Sequence, residues 1–108
     1  MIICLPVTAA GQIGQSWGRA DRVAIAEVGD SGISRWEEFE VGWDQTHDAV
    51  EHSQHHERIA RFLTDHHVAC VVAGHMGPPM QQMLGEMGIN VRLGAAGEAR
   101  SAAFSARV

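Results

Sequence analysis

The segment HHERIARFLTDHHVACVVAGHMGPPM, residues 55–80, decides the fold. Its first half places Ile59, Phe62 and Leu63 at i, i+3 and i+4, a spacing that predicts an amphipathic helix. The apolar, β-branched run over residues 68–73 follows directly and is typical of a strand buried on both faces. A helix that leads straight into such a strand indicates a parallel pair, because parallel strands need a crossover connection.

Hydrophobic patterning outward from this segment predicts the other elements. Gly29 to Gly32 carry the sequence GDSG, which favours a tight turn, so the strands on either side form a hairpin. The alternation of the third strand is imperfect around Trp36, which indicates a bulge or an edge position. In chain order we predict strands at Ile2–Val7, Asp21–Val28 and Ile33–Val41, a helix to about His66, a strand at Val68–Ala73, a helix carrying Met80, Met83, Leu84 and Met87 and closed by Gly88, a strand at Ile89–Leu93, and an alanine-rich helix at Glu98–Ala106. The result is an α/β fold with a mixed five-stranded sheet flanked by helices.

Composition and charge limit the classes of protein to consider. The chain has 108 residues, which fits one domain over residues 1–108, and a net charge of −5. An acidic chain without a basic stripe argues against a nucleic-acid partner. No apolar run approaches the roughly 18 residues that cross a bilayer, and the first residues have no basic stretch typical of a signal peptide, so we expect a cytoplasmic protein without a membrane partner. Cys4 and Cys70 lie in apolar runs and are expected in the core.

The predicted topology brings three segments to one edge of the sheet. The loop over residues 8–20, the helix start over residues 46–56 and the loop over residues 74–79 all lie at the carboxyl ends of parallel strands. Ligands of open α/β sheets bind at that edge, so we expect a binding site there.

Histidines are the first candidate ligands in these segments. The chain has seven, and all but His75 lie between His47 and His67. His52, His55 and His56 are neighbours on one helix face, and neutral imidazoles bind Zn, Ni, Cu and Fe. We predict that they and His75 bind a divalent transition metal. The alternative is a set of solvated polar side chains near a helix start.

Anion recognition is the second prediction for this edge. The loop offers Ser16, Trp17, Gly18 and Arg19: the guanidinium suits an anionic ligand, and the indole would cover an apolar face of it. Gly74 and Gly77 frame the start of the next helix, where backbone N–H groups favour anions. The alternatives are that Arg19 pairs with Glu27 or Asp21, and that Trp17 only anchors the loop.

At these places the sequence resembles the dinitrogenase iron–molybdenum cofactor biosynthesis family, the NifX and NifB C-terminal-like domain. The residues that carry the resemblance, over about residues 1–98, are IICLPVT from Ile2, SWGRADRVAIAEV from Ser16, the segment 55–80 quoted above, and LGEMGINVRLGAAG from Leu84. The resemblance implies a ribonuclease-H-like fold with sheet order 3-2-1-4-5. It also implies binding of an iron–sulfur or molybdenum–iron–sulfur cluster precursor and association with a cofactor-assembly protein. Ser16 stands where many members have histidine, which leaves His52, His55, His56 and His75 as the candidate metal ligands.

Three functions follow for testing. The first is a non-enzymatic binding or carrier protein for a metal or an iron–sulfur or molybdenum–iron–sulfur cofactor precursor. The second is a cofactor-free interaction module, such as a homodimer, to which Trp17, Trp36 and Trp43 would contribute. The third is a small metal-dependent hydrolase with ribonuclease-H-like chemistry, which needs carboxylates on the central strands. Neither IICLPV nor VACVVA contains one, so this function ranks last.

Overall fold

The central strand, β1 (Ile2–Pro6), sends alternate side chains to opposite faces of the sheet. The side chain of Cys4 joins the apolar core on one face, and those of Ile3 and Leu5 join the core on the other. All three are fully buried, because helices cover both faces. The structure, a computed structural model, describes residues 1–14, 16–46 and 52–106.

Five strands form one sheet in the order β3-β2-β1-β4-β5. β1 pairs antiparallel with β2 (Arg22–Gly29), which pairs antiparallel with β3 (Gly32–Glu40). On its other side β1 runs parallel to β4 (Cys70–Val72), which runs parallel to β5 (Asn90–Arg92). The mixed α/β sheet and its order 3-2-1-4-5 are therefore confirmed, and the likeness to ribonuclease H stays a prediction.

Helices cover the two faces unequally. α2 (His52–Asp65) and α3 (Pro78–Glu86) pack on the face that contains Cys4. α4 (Ala99–Ser105) packs on the other face through Ala99 and Ala103, whose small side chains let the helix lie close to the sheet. The alanine-rich helix predicted over Glu98–Ala106 is thus present, with Glu98 and Ala106 as its two caps.

The predicted hairpin is present, and its outer strand lies at the sheet edge. The pairing of β2 with β3 shifts register between Glu27 and Val28, which is the irregularity expected near Trp36. Trp36 is half-buried, and the guanidinium of Arg100 lies 4.5 Å from the centre of its ring, so α4 holds this edge through a cation–π contact.

β4 and β5 start later than predicted, because Val68 and Ile89, the first residues of the predicted strands, belong to the caps of the preceding helices. The N–H of Val68 donates to the carbonyl of Leu63, and the N–H of Ile89 donates to the carbonyl of Leu84. Both bonds join the residue after a left-handed position to the last helical turn, the Schellman arrangement. The left-handed positions are His67, with φ of 55°, and Gly88, with φ of 78°.

One helix was not predicted. The sequence predicts no helix directly after the third strand, but α1 (Trp43–Thr46) forms a single turn there and buries Trp43. Four residues are too few to show a helical period. In the described ranges, every helix is too short or too polar to cross a bilayer.

Candidate functional site

A cavity of about 330 Å³ lies where the three predicted segments meet. Its wall comes from the loop after β1, the start of α2, and the connection from β4 into α3. Its lining residues are Ser16, Gly18, Arg19, His55, His56, His75, Met76, Gly77, Pro79 and Met80. The volume lies within the usual range of small-ligand sites.

His55 is the deepest polar group of this wall. It is 1% exposed, and its Nε2 lies 2.7 Å from the carbonyl oxygen of Gly18. A carbonyl only accepts hydrogen bonds, so Nε2 carries the proton and donates it. In this arrangement the Nε2 atom of His55 cannot bind a metal.

The other predicted histidines differ in position. His56 is half-buried, with its ring centre 6.2 Å from that of His55, and His75 is exposed at the cavity mouth. His52 begins α2, and its side chain lies outside the described part of the chain. Within the described ranges no three or more His, Cys, Asp or Glu side chains are placed to hold a metal ion.

Trp17 is placed differently from the prediction that it would cover a ligand. Its side chain is fully buried and packs edge-on against Trp43, with ring centres 5.1 Å apart, and it does not line the cavity. Its indole Nε1 has no hydrogen-bond partner among the described residues. Trp17 therefore anchors the loop in the core, the alternative reading of this residue.

The start of α3 is poorer in donors than predicted. Gly77 is the N-cap, and Pro78 and Pro79 occupy the first two helical positions, so neither position carries an N–H group. The expected row of anion-binding amides is therefore interrupted. Gly74 does not line the cavity, and its carbonyl accepts the N–H of Gly94 at 3.1 Å.

Among the described residues that line the cavity, Arg19 supplies a permanent positive charge, His56 and His75 add imidazoles, and none carries a carboxylate. The thioether side chains of Met76 and Met80 form part of the apolar floor, and they are 2% and 4% exposed. The sequence predicts Met80 on the apolar side of its helix and predicts no role for Met76, since a buried apolar residue carries no signal of a cavity beside it. The wall thus suits a ligand with negative charge and a soft, weakly hydrated surface.

The thiols lie away from this wall. Cys4 and Cys70 are fully or almost fully buried in the sheet, on opposite faces. Burial raises the pKa of Cys4 well above its ordinary value, and burial likewise raises that of Cys70, against the opposing effect of nearby Arg92. Both stay protonated at neutral pH, which is the inert form of a thiol.

Comparison with known proteins gives a family for the chain. The sequence profile of the dinitrogenase iron-molybdenum cofactor family matches residues 1–106. No curated protein sequence matches the chain. Among solved structures, the protein PH0822 superposes with a TM-score of 0.74 at 18% identity, over 94% of this chain and 83% of that one. A candidate dinitrogenase, mj0327 from Methanocaldococcus jannaschii, superposes with a TM-score of 0.64 at 9% identity, over 94% of this chain and 82% of that one. The likeness to these two structures extends to the fold, and the match over 1–106 shows that the chain belongs to the dinitrogenase iron-molybdenum cofactor family.

Proposed function

We propose that this protein binds and carries an anionic metal–sulfur cluster, a precursor of an iron–molybdenum cofactor, in the cavity beside the Ser16–Arg19 loop. The observation that carries the proposal is the cavity wall, whose described lining residues include one guanidinium and three imidazoles but no carboxylate. The family supports cofactor handling as the general role.

The composition of the wall fits a cluster better than it fits a bare cation. A bare divalent ion needs several ligands that converge within bonding distance, and the described residues offer no such group of three. A cluster arrives with its own sulfide ligands and an overall negative charge. One or two imidazoles to anchor it, a cation to pair with it and an apolar floor are sufficient.

Within this proposal each side chain of the wall makes a different contact with the cluster. His75 and His56 anchor a metal of the cluster, Arg19 pairs with its negative charge, and Ser16 donates a hydrogen bond to it. Met76 and Met80 contact its apolar surface. His52 is a further candidate at the start of α2.

We propose carriage rather than catalysis, and delivery to or from a cofactor-assembly protein. The absence of a carboxylate from β1 and β4, Ile2–Pro6 and Cys70–Val72, makes the two-metal hydrolase the weaker alternative. A homodimer stays a prediction.

The proposal is tested with tetrathiomolybdate, a dianion that absorbs visible light, titrated into the purified protein without a histidine tag. We expect a saturable, one-to-one change in absorption. In Arg19→Met and in His75→Ala the dissociation constant should rise about tenfold or more, because each change removes a contact to a charged group. The matched controls are Arg61→Met on the outer face of α2, where the side chain is 72% exposed, and His67→Asn at the far end of that helix.

Two results would contradict the proposal. One is a wild-type protein that leaves the spectrum of tetrathiomolybdate unchanged and also gains no visible absorption on anaerobic reconstitution with iron and sulfide. The other is an equal loss of affinity in the cavity variants and in their controls, which would indicate nonspecific adsorption.

A further inference from the structure

We infer that His55 is a positioning residue, which holds the Ser16–Arg19 loop through its Nε2–H in the geometry that the ligand needs. The inference rests on the proposed function for its ligand, and it assigns to His55 a role different from that of His56 and His75.

The imidazole of His55 is buried. Among the described residues, His55 is the one polar or charged side chain found in the buried core. A buried polar group is destabilising unless it is hydrogen-bonded, and the bond of 2.7 Å to the carbonyl of Gly18 supplies that partner. The bond joins α2 to a loop 37 residues earlier in the chain.

His55 lies on the packed face of α2. His55, Ile59 and Leu63 follow one another at i, i+4 and i+8, and all three are buried on the face of α2 that packs on the sheet. The packed helix therefore fixes where the Nε2 atom points. A rigid donor of this kind can hold a loop, as positioning requires.

Two backbone hydrogen bonds also hold the Ser16–Arg19 loop. The N–H of Trp17 donates to the carbonyl of His75 at 3.2 Å, and the N–H of Ala20 donates to the carbonyl of Trp17 at 3.2 Å. The loop thus joins α2 on one side to the connection between β4 and α3 on the other. His55 holds the peptide group between Gly18 and Arg19, and the carbonyl of His75 holds the one between Ser16 and Trp17.

The position of the Ser16–Arg19 loop affects two neighbouring spaces. Ser16 and Arg19 line the cavity, and they also line a second groove of about 350 Å³ together with Thr8 and Asp21. Because both spaces share these two loop residues, we expect a shift of the loop to change the shape of both. By fixing the Gly18 carbonyl, His55 sets the volume of the cavity and the direction of the Arg19 guanidinium.

The test compares His55→Gln with His55→Leu. Glutamine has an amide N–H near the place of Nε2 and can keep the bond to Gly18, whereas leucine fills the space without a donor. We expect His55→Gln to bind tetrathiomolybdate within about threefold of the wild type. His55→Leu should weaken binding about tenfold and speed amide hydrogen exchange at Trp17 and Ala20, because the loop loses one of its ties. Exchange at the amides of β1 should not change in either variant.

Nitrogen NMR of the ligand-free wild type gives an independent measurement. Its imidazole signals should identify His55 as the tautomer protonated at Nε2. A proton on Nδ1, or normal amide exchange at Trp17 and Ala20 in His55→Leu, would overturn the inference. So would an equal loss of affinity in the Gln and Leu variants, since a direct metal ligand is not replaced by an amide. Failure of the wild type to bind tetrathiomolybdate would count against the proposed function alone, because the tautomer and the exchange rates are measured without ligand.

Discussion

At the scale of single residues, Gly18 lies where the loop contacts both α2 and the cavity. Its carbonyl receives the hydrogen bond from His55, and it also lines the cavity. A Cβ atom built at Gly18 would meet no described heavy atom within 4 Å, apart from its chain neighbours. The missing side chain therefore leaves open space where a ligand would lie.

This gives a prediction that separates folding from binding. Gly18→Ala should leave the free energy of unfolding within about 0.5 kcal/mol of the wild type, because the methyl group meets nothing. Gly18→Leu should also fold, but it should weaken tetrathiomolybdate binding about tenfold or more by filling the cavity. The contrasting glycine is Gly14, where a Cβ would lie 3.2 Å from that of the rigid Pro6. Gly14→Ala should cost about 1 kcal/mol in urea unfolding. Unchanged binding in Gly18→Leu would place the ligand elsewhere.

The sequence predicts which side chains are candidate ligands better than it predicts how those side chains are buried and packed. The topology predicted from the sequence brings the histidines and the Arg19 loop to one edge of the sheet, and Arg19, His55, His56 and His75 do line one cavity there. It did not show that His55 is buried with Nε2 donating, or that Trp17 points into the core. Those outcomes depend on packing between segments that are distant in the chain, here the Trp17–Trp43 contact.

At the scale of elements, the ends of α2 and α3 use one motif with two different residues. Each helix closes with a Schellman pair of hydrogen bonds, which needs a left-handed residue after the last turn. α3 places Gly88 there, and α2 places His67. The motif turns the chain back toward the sheet, where β4 pairs with β1 and β5 pairs with β4.

Gly85, inside α3, and Gly88, just past its end, should respond oppositely to alanine. Gly88→Ala should destabilise the protein by about 1 kcal/mol, because an L side chain is strained at a φ of 78°. Gly85→Ala, inside the same helix and exposed, should stabilise it by about 0.5–1 kcal/mol through helix propensity. Both values are measured by chemical denaturation. Equal effects of the two substitutions would show that the backbone at Gly88 is not held left-handed.

Element types could be predicted because burial follows the period of the sequence. β1, β2 and β4 alternate between the two cores, and the face of α2 follows 3.6 residues per turn. Boundaries were less predictable, since Val68 and Ile89 are apolar enough for strands but serve to close helices. α1 is a single turn fixed by the burial of Trp43, which local propensity does not show.

At the scale of the whole molecule, two thiols determine how the free energy of unfolding changes at basic pH. The sequence has no tyrosine, and all eight of its cationic side chains are arginine, so cysteines are the side chains that ionise near pH 9. Burial raises the pKa of Cys4 and of Cys70 above the ordinary value of 9.0. Above that pH the unfolded chain loses thiol protons that the folded chain keeps, so ionisation favours unfolding.

We therefore expect the free energy of unfolding to be unaffected by thiol ionisation below about pH 8.5. Above pH 9 it should fall by up to about 1.4 kcal/mol per pH unit for each thiol. The double variant Cys4→Ala, Cys70→Ala should lose this slope, although its stability at neutral pH is lower. Guanidinium-chloride titrations at closely spaced pH values under reducing conditions measure both curves. Parallel curves for the two proteins would mean that the thiols ionise equally well in the folded chain.

The two prolines at the start of α3 have a consequence for selectivity. Inorganic phosphate and sulfate are hard oxyanions, and helix starts grip them by pointing consecutive main-chain amides at their oxygens. Pro78 and Pro79 remove two of those amides from the start of α3, where Pro79 lines the cavity. Phosphate would therefore gain little from this helix start, and the sulfide-rich anion of the proposed function, which would bind through ring nitrogens and a guanidinium, would meet less competition.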